Sequence, residues 1–254
     1  MKLADSAFDY ESMKTSYSGV RRTDPAIAAY IHKELGDAKT ILNVGAGAGS
    51  YEPEGRYVLA VEPSASMRKQ RLATGKPPAV IGVAEDLPFD DHSFDASMAI
   101  VTVHHWPDLG RGLCEMRRVT RGPVVVMTFD PDALNEFWNI NYFPQLIEVE
   151  RSRYPRIATI VDHLGGNCEV IKVPVPFHCL DGFQEAFYGR PEAFLDKQIR
   201  EAQSAWGFLP EGLEEVYVTA LAADLKSGEW DRKYGSHRTM PEFTGALRLI
   251  VSRH

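Results

Sequence analysis

The run Thr40-Ile41-Leu42-Asn43-Val44-Gly45-Ala46-Gly47-Ala48-Gly49 decides the fold. Residues 40–44 read as a short buried strand, and glycines follow it directly. Glycine lets the chain turn sharply and lets the backbone approach a ligand closely, because no Cβ stands in the way. The spacing is G-x-G-x-G, with Ser50 where the dinucleotide fingerprint wants its third glycine, which disfavours a pyrophosphate site. On the N-terminal side, Asp24-Pro25 offers an N-cap with proline at the first helical position. Ile27, Ile31 and Leu35 continue at helical spacing, and Gly36 supplies the stop.

On the C-terminal side, residues 57–62 predict a second strand. Pro63 pushes Glu62 into extended geometry, so its carboxylate should stand at the C-terminal edge of the sheet, where doubly wound folds bind ligands. A carboxylate there can accept hydrogen bonds from both hydroxyls of a ribose; a solvated strand-end glutamate is the bland alternative. Ser64 caps a helix through Met67 and Leu72. Residues 79–83, 94–103 and 123–129 predict three more strands, with a helix marked by Leu109, Leu113 and Met116 before Gly122. Near-continuous apolar strands separated by helices argue for a parallel sheet covered on both faces.

After Asp130 the pattern changes. Aromatic-rich helical stretches at 134–153, 183–206 and 213–225 surround two strand candidates, 168–175 and 243–251. The reading is one compact unit over 1–254: an N-terminal lid and helix (1–38), a cofactor-binding core (39–130), a helical substrate cap with an embedded strand (131–241) and a final strand (242–254). Trp138, Tyr142, Phe137, Phe183, Phe187 and Trp206 suggest either an aromatic-lined cavity or ordinary core packing, the commoner outcome. His178, Cys179, Glu185, Tyr188 and Arg190 could bind substrate, although a lid helix with a polar surface explains most of them.

Composition narrows the partners. The 254 residues carry 28 basic and 35 acidic side chains, a formal charge of −7, and no Lys/Arg run longer than two, so no nucleic-acid footprint appears. The N-terminus lacks an apolar targeting segment and no stretch approaches membrane-span length, so a cytoplasmic protein without membrane contact is expected, of undetermined oligomeric state. Cys114, Cys168 and Cys179 form no C-x-x-C and lie near no histidine at ligand spacing; buried thiols are expected, with neither a disulfide framework nor a metal site.

Several further motifs stand in order along the chain: Val61-Glu62-Pro63-Ser64, Gly82-Val83-Ala84-Glu85-Asp86-Leu87-Pro88-Phe89, Asp91-His92-Ser93-Phe94-Asp95 and Val103-His104-His105-Trp106-Pro107. Together with the glycine loop they resemble the class I S-adenosylmethionine-dependent methyltransferases, most of all the branch that includes the ubiquinone and menaquinone biosynthesis enzymes. The resemblance covers roughly residues 40 to 130. It implies an α/β, Rossmann-like seven-stranded sheet in the order 3-2-1-4-5-7-6, the last strand antiparallel, with helices on both faces and a helical lid. It implies S-adenosyl-L-methionine as cofactor and a small-molecule acceptor. The Gly45, Ala46, Gly47 and Gly49 loop would face the methionine and ribose part, Glu62 with Pro63 the ribose, and Met67 the adenine. Ala84, Glu85 and Val101 would complete the cofactor pocket. Relatives commonly carry an acid where this chain has Val83, so Glu85, Asp86 or a backbone carbonyl would have to receive the adenine amino group.

Tyr17-Ser18-Gly19-Val20-Arg21-Arg22 is similar to a segment that closes over the cofactor in relatives, and Arg21 is the candidate partner of the methionine carboxylate. Methyl transfer from a sulfonium is an in-line displacement that needs positioning and dryness more than covalent help. A base serves only an acceptor that carries a proton. His104 and His105 follow the fourth strand and should point to opposite sides. Similarity to phosphoethanolamine methyltransferases favours His105 as the catalytic residue, with Tyr17 as its partner, while a structural role for the pair is the alternative. The acceptor atom, whether O, N, S or C, stays open. Two rival classes share parts of this pattern: an NAD-dependent oxidoreductase and a non-catalytic S-adenosylmethionine-binding module.

Overall fold

In the computed structural model, which describes residues 21–253, Asp24 caps the first helix, α1 (Pro25–Glu34). Its Oδ1 accepts from the N–H groups of Ala26 at 2.9 Å and Ile27 at 3.2 Å, two of the donors a helix start leaves unpaired. Ile27 and Ile31 are fully buried against the sheet.

That sheet contains β1 (Thr40–Val44), β2 (Tyr57–Val61), β3 (Ala96–Ile100), β4 (Val124–Phe129), β5 (Asn167–Lys172) and β8 (Leu247–Arg253), in the order β2-β1-β3-β4-β8-β5. The first four run parallel, and β8 lies antiparallel between β4 and β5. Side chains alternate between the two faces as strand geometry requires. Val125 and Met127 join α1 and the segments beyond residue 130 in one apolar cluster. Val124 and Val126 join the other cluster with α3 (Leu109–Val119) and α5 (Ile157–Leu164). Helix α2 (Ala65–Ala73) is capped by Ser64, whose Oγ accepts from Met67 N–H at 3.2 Å.

The expected third strand, 79–83, contracts to a single parallel bridge between Val61 and Val80 at the β2 edge. Pro77 and Pro78 lead into it without N–H donors, so a longer ladder has nothing to build on. With Val80 counted, the order is the expected 3-2-1-4-5-7-6. Of the expected fourth strand, 94–103, residues 96–100 stay in the ladder; Phe94 pairs only through an isolated bridge to Thr120, and past Ile100 the chain leaves as Val101 turns to φ +50°. The late strands each divide. Residues 175–176 (β6, Val175–Pro176) leave the main sheet to pair with β7 (Glu242–Phe243), while β5 and β8 complete it.

The expected helices beyond Asp130 are broken up. Residues 131–141 form two 3₁₀ turns before α4 (Pro144–Arg153), and 184–208 alternate 3₁₀ turns with the short α6 (Lys197–Glu201). Pro131, Pro144 and Pro191 each restart the chain at a first helical turn. Only α7 (Leu213–Ser227) is long, followed by α8 (Glu229–Tyr234). The thiols differ from the expectation of uniform burial: Cys179 is buried, Cys168 half-buried and Cys114 exposed, because Cys114 lies on the outer face of α3. Among the described residues, no helix is long and apolar enough to cross a membrane, and no cluster of His, Cys, Asp and Glu could hold a metal ion.

Candidate functional site

The glycine loop leaves β1 with positive φ at Gly45 (+66°), Gly47 (+53°) and Gly49 (+94°). A Cβ at Gly45 would overlap the Oγ1 of Thr102, so both its dihedral and its surroundings exclude a side chain. Glu62 reaches across from the end of β2. Its Oε2 accepts from Gly47 N–H at 2.7 Å and its Oε1 from Ser64 N–H at 2.9 Å. Burial pushes the carboxyl pKa up, and those two N–H groups hold it down. An ionised carboxylate offers about four acceptor positions, so two remain for a ligand's hydroxyls.

A buried ion pair that the sequence reading did not single out lies under the loop. Arg71, fully buried on α2, donates to Glu52 at 2.6 and 3.1 Å, and Asn43 Nδ2 donates to the same carboxylate at 2.9 Å. A Cβ at Gly49 would come within 2.8 Å of Arg71 Nη1, so the loop rests directly on this pair.

Above the loop opens a crevice of about 430 Å³, within the size range of small-molecule sites. Gly45, Ala46, Gly47, Gly49, Glu62, Pro63, Met67, Ala84, Glu85, Val101, Arg21 and His105 all line it, so sequence-distant candidates converge on one wall. Tyr17 lies outside the described residues. Val83 lines the same crevice, and Glu85 Oε1 accepts from Asp108 N–H at 3.2 Å. Arg21 donates to Asp181 at 2.6 Å, and the Tyr51 hydroxyl donates to the other oxygen of Asp181 at 2.9 Å. Asp181, absent from the sequence candidates, thereby joins the segment before α1 to the region beyond β6.

A second, narrower cavity of about 60 Å³ meets the crevice at Arg21 and Val101, which line both. A branched side chain at φ +50° is a strained arrangement, of the kind found at functional sites. The histidines depart from the expected strand alternation. They sit in a 3₁₀ turn (Val103–His105) with ring centroids 3.8 Å apart, because the strand has already ended at Ile100. They nevertheless face different spaces: His105 lines the crevice and His104 the second cavity. Burial first, then neighbouring positive charge, lowers both pKa values, His105 to about 4, so both rings are neutral at pH 7.

Phe129, Phe137 and Phe183 line the second cavity, whereas Trp138, Tyr142, Phe187 and Trp206 pack in the core around it. Besides Arg21, His104 and Tyr154, the polar lining includes Glu150, Glu185, Asn139, Gln184, Gln203 and Ser204. Glu185, for which the sequence leaves substrate contact and lid surface both open, is buried and lines this cavity. The sequence did hold a trace of Glu150, an acid four residues beyond Leu146 and three beyond Ile147 on the apolar face of α4.

A glycine loop closed to any Cβ, a strand-end acid with acceptor capacity left over, and an adjoining buried cavity fit an adenosyl cofactor beside an acceptor. They define a class of Rossmann-like α/β proteins that bring a nucleoside-bearing group to a second ligand. Comparison with known proteins is specific. Residues 42–127 match the family model of a methyltransferase domain. A crystal structure assigned as a methyltransferase from an antibiotic biosynthesis pathway of Anabaena variabilis is 31% identical, covers 93% of this chain and 100% of its own, and superposes with a TM-score of 0.85. An uncharacterized methyltransferase of Mycobacterium tuberculosis is 36% identical over 33% of this chain and 36% of its own length. A malonyl-[acyl-carrier protein] O-methyltransferase of Erwinia billingiae is 32% identical over 43% of this chain and 46% of its own. The match thus spans about a third to a half of these curated relatives. The chain belongs to the class I S-adenosylmethionine-dependent methyltransferase family.

Proposed function

We propose that this chain transfers the methyl group of S-adenosyl-L-methionine to a small molecule held in the second cavity. The observation that carries the reading is the junction at Arg21 and Val101, where the crevice over the glycine loop meets a buried space lined by His104. When bound, the cofactor would supply an electrophilic methyl carbon. The glycine loop and Glu62 would hold its sugar end, Met67 and Ala84 its base, and Arg21, already tied to Asp181, would neutralise its carboxylate end.

The rest of the task falls to the acceptor side. In-line displacement gains most from near-contact geometry in a dry space, which buried aromatic walls supply. Where the acceptor carries a proton, a neutral imidazole must take it up. His104 Nδ1 is buried, has no hydrogen-bond partner among the described residues and stands on the acceptor side, so it is the better-placed group, with His105 on the cofactor side. The acidic composition and the phenylalanine walls of the second cavity support an acceptor that is small and partly apolar.

Calorimetric titration tests the reading. S-adenosylmethionine and S-adenosylhomocysteine should bind and NAD should not. NAD binding without S-adenosylhomocysteine binding would favour an oxidoreductase. Cofactor binding with no S-adenosylhomocysteine release across a broad acceptor screen would favour a binding module.

A further inference from the structure

The second cavity has an excess of hydrogen-bond acceptors. Asn139 Nδ2 donates to Gln184 Oε1 at 2.7 Å, and Gln184 Nε2 donates to Glu150 Oε1 at 2.8 Å, so the amides pass their donors along toward the carboxyl. Glu185 Oε1 accepts from Ala246 N–H at 2.7 Å. Asn139 Oδ1, Glu150 Oε2 and Glu185 Oε2 remain, all buried and all without a close hydrogen-bond partner among the described residues; the Tyr154 hydroxyl near Glu150 and the Leu247 N–H near Glu185 only help to hold the two carboxyl pKa values down. Unmatched buried acceptors are costly, and two belong to carboxyls. No lysine or arginine among the described residues forms an ion pair with Glu150 or Glu185. Arg153 and Arg21 act on Glu150, and Arg248 on Glu185, only through space, and Arg248 is paired with Asp130 at 3.3 Å. The cavity's own cation, Arg21, is bound to Asp181.

A ligand that complements this wall must bring several N–H donors and positive charge. We infer that the acceptor molecule carries a basic nitrogen, an amine or guanidine, seated on Glu185 and Glu150, with its carbon skeleton against Phe129, Phe137 and Phe183. The inference rests on the methyltransferase reading and names the substrate class. Neutral alcohols offer one donor where three acceptors wait, and a carboxylate brings no donor to them at all. Recognition is the nitrogen's role; the methylated atom need not be that nitrogen. The narrow space admits a compact head group or the leading end of a longer molecule.

The test uses the full chain saturated with S-adenosylhomocysteine, titrated with short alkylamines and arylalkylamines and with the matching alcohols and carboxylic acids. Amines should bind at least about tenfold more tightly than both comparison series. Glu185→Gln should weaken amine binding by about tenfold or more while leaving S-adenosylhomocysteine affinity within about twofold. Glu150→Gln provides the same readout if the first variant folds poorly. Equal or better binding of alcohols or acids, no binding by any amine, or unchanged amine affinity in both variants would overturn the inference. Failure of the methyltransferase reading shows separately, as absence of S-adenosylhomocysteine binding to the unmodified chain.

Discussion

The carboxylate of Glu62 and the backbone N–H of Gly47 lie 2.7 Å apart, so the acid that ends β2 also holds the loop that follows β1. Ligand-facing and loop-tying roles therefore reside in one side chain. Glu62→Ala should weaken S-adenosylhomocysteine binding by about 1.5–3 kcal/mol through loss of a charged hydrogen-bond acceptor. Glu62→Gln, which keeps an acceptor for Gly47, should lose less. Calorimetry on the two variants checks the order; equal affinity in wild type and Glu62→Ala would remove the residue from cofactor binding.

Gly45→Ala should destabilise the fold by about 1–3 kcal/mol, from positive φ and from overlap with Thr102. Adding Thr102→Ala should recover the steric part and leave the dihedral part. Urea denaturation midpoints of the single and double variants separate the two contributions, and full recovery would show that the dihedral costs nothing.

Breaking the pair under the loop should be worse than breaking an ion pair at the surface. Arg71→Ala leaves Glu52 buried with only Asn43 and the more distant Lys76, at 3.6 Å, to offset its charge, with an expected loss of about 3 kcal/mol. Arg121→Ala, which removes an exposed pair with Asp95, should cost no more than about 1 kcal/mol. Chemical unfolding of both proteins compares them; similar losses would contradict the energetic role assigned to burial.

The two histidines should separate kinetically for an acceptor that carries a proton. His104→Ala should lower turnover by about 10²-fold or more while S-adenosylhomocysteine affinity stays within about twofold. His105→Ala should change cofactor affinity as well, because its ring lines the crevice. Steady-state kinetics combined with titration measures both, and the reverse pattern would return the catalytic role to His105.

Burial pushes the Glu185 pKa up to about 7, against an ordinary 4.5. The folded state then holds a proton that the unfolded chain has lost between those values, so this residue's contribution is fully present below pH 4.5 and fades as pH rises through 7. His104 and His105 act in the opposite sense, losing stability as pH falls below about 6.5. Replacing Glu185 by Gln should therefore improve stability at pH 8 relative to pH 5, by on the order of 3 kcal/mol compared with wild type. Parallel denaturation curves at the two pH values check the sign; an unchanged pH dependence would mean that the group titrates normally.

Local runs of sequence carried the strand-loop-strand unit. Residues 40–49 and 57–64 hold their strand, turn and cap signals within a few positions, so neither distant contacts nor packing were needed to read them. The same holds for Asp24-Pro25 and for Ser64. Beyond Asp130 that locality is lost. Prolines and aromatics suited both continuous helices and the 3₁₀ turns that formed, and tertiary packing chose the turns. Glu185 and Asp181 could not be told from any solvated acid of a lid, since nothing in a side chain's neighbours along the chain reports which residues will enclose it.

The sequence by itself determined the strands, the glycine turn and the acid that faces it, because each depends on patterns confined to short segments and on the two-residue alternation of strands, whereas the sheet order followed from the resemblance to the methyltransferase family. Only the tertiary structure decided which histidine faces which space, where Arg71 finds Glu52, and how Glu150 and Glu185 come to share a cavity. Those outcomes depend on burial, which removes water from a polar group only after segments far apart in the chain have closed around it.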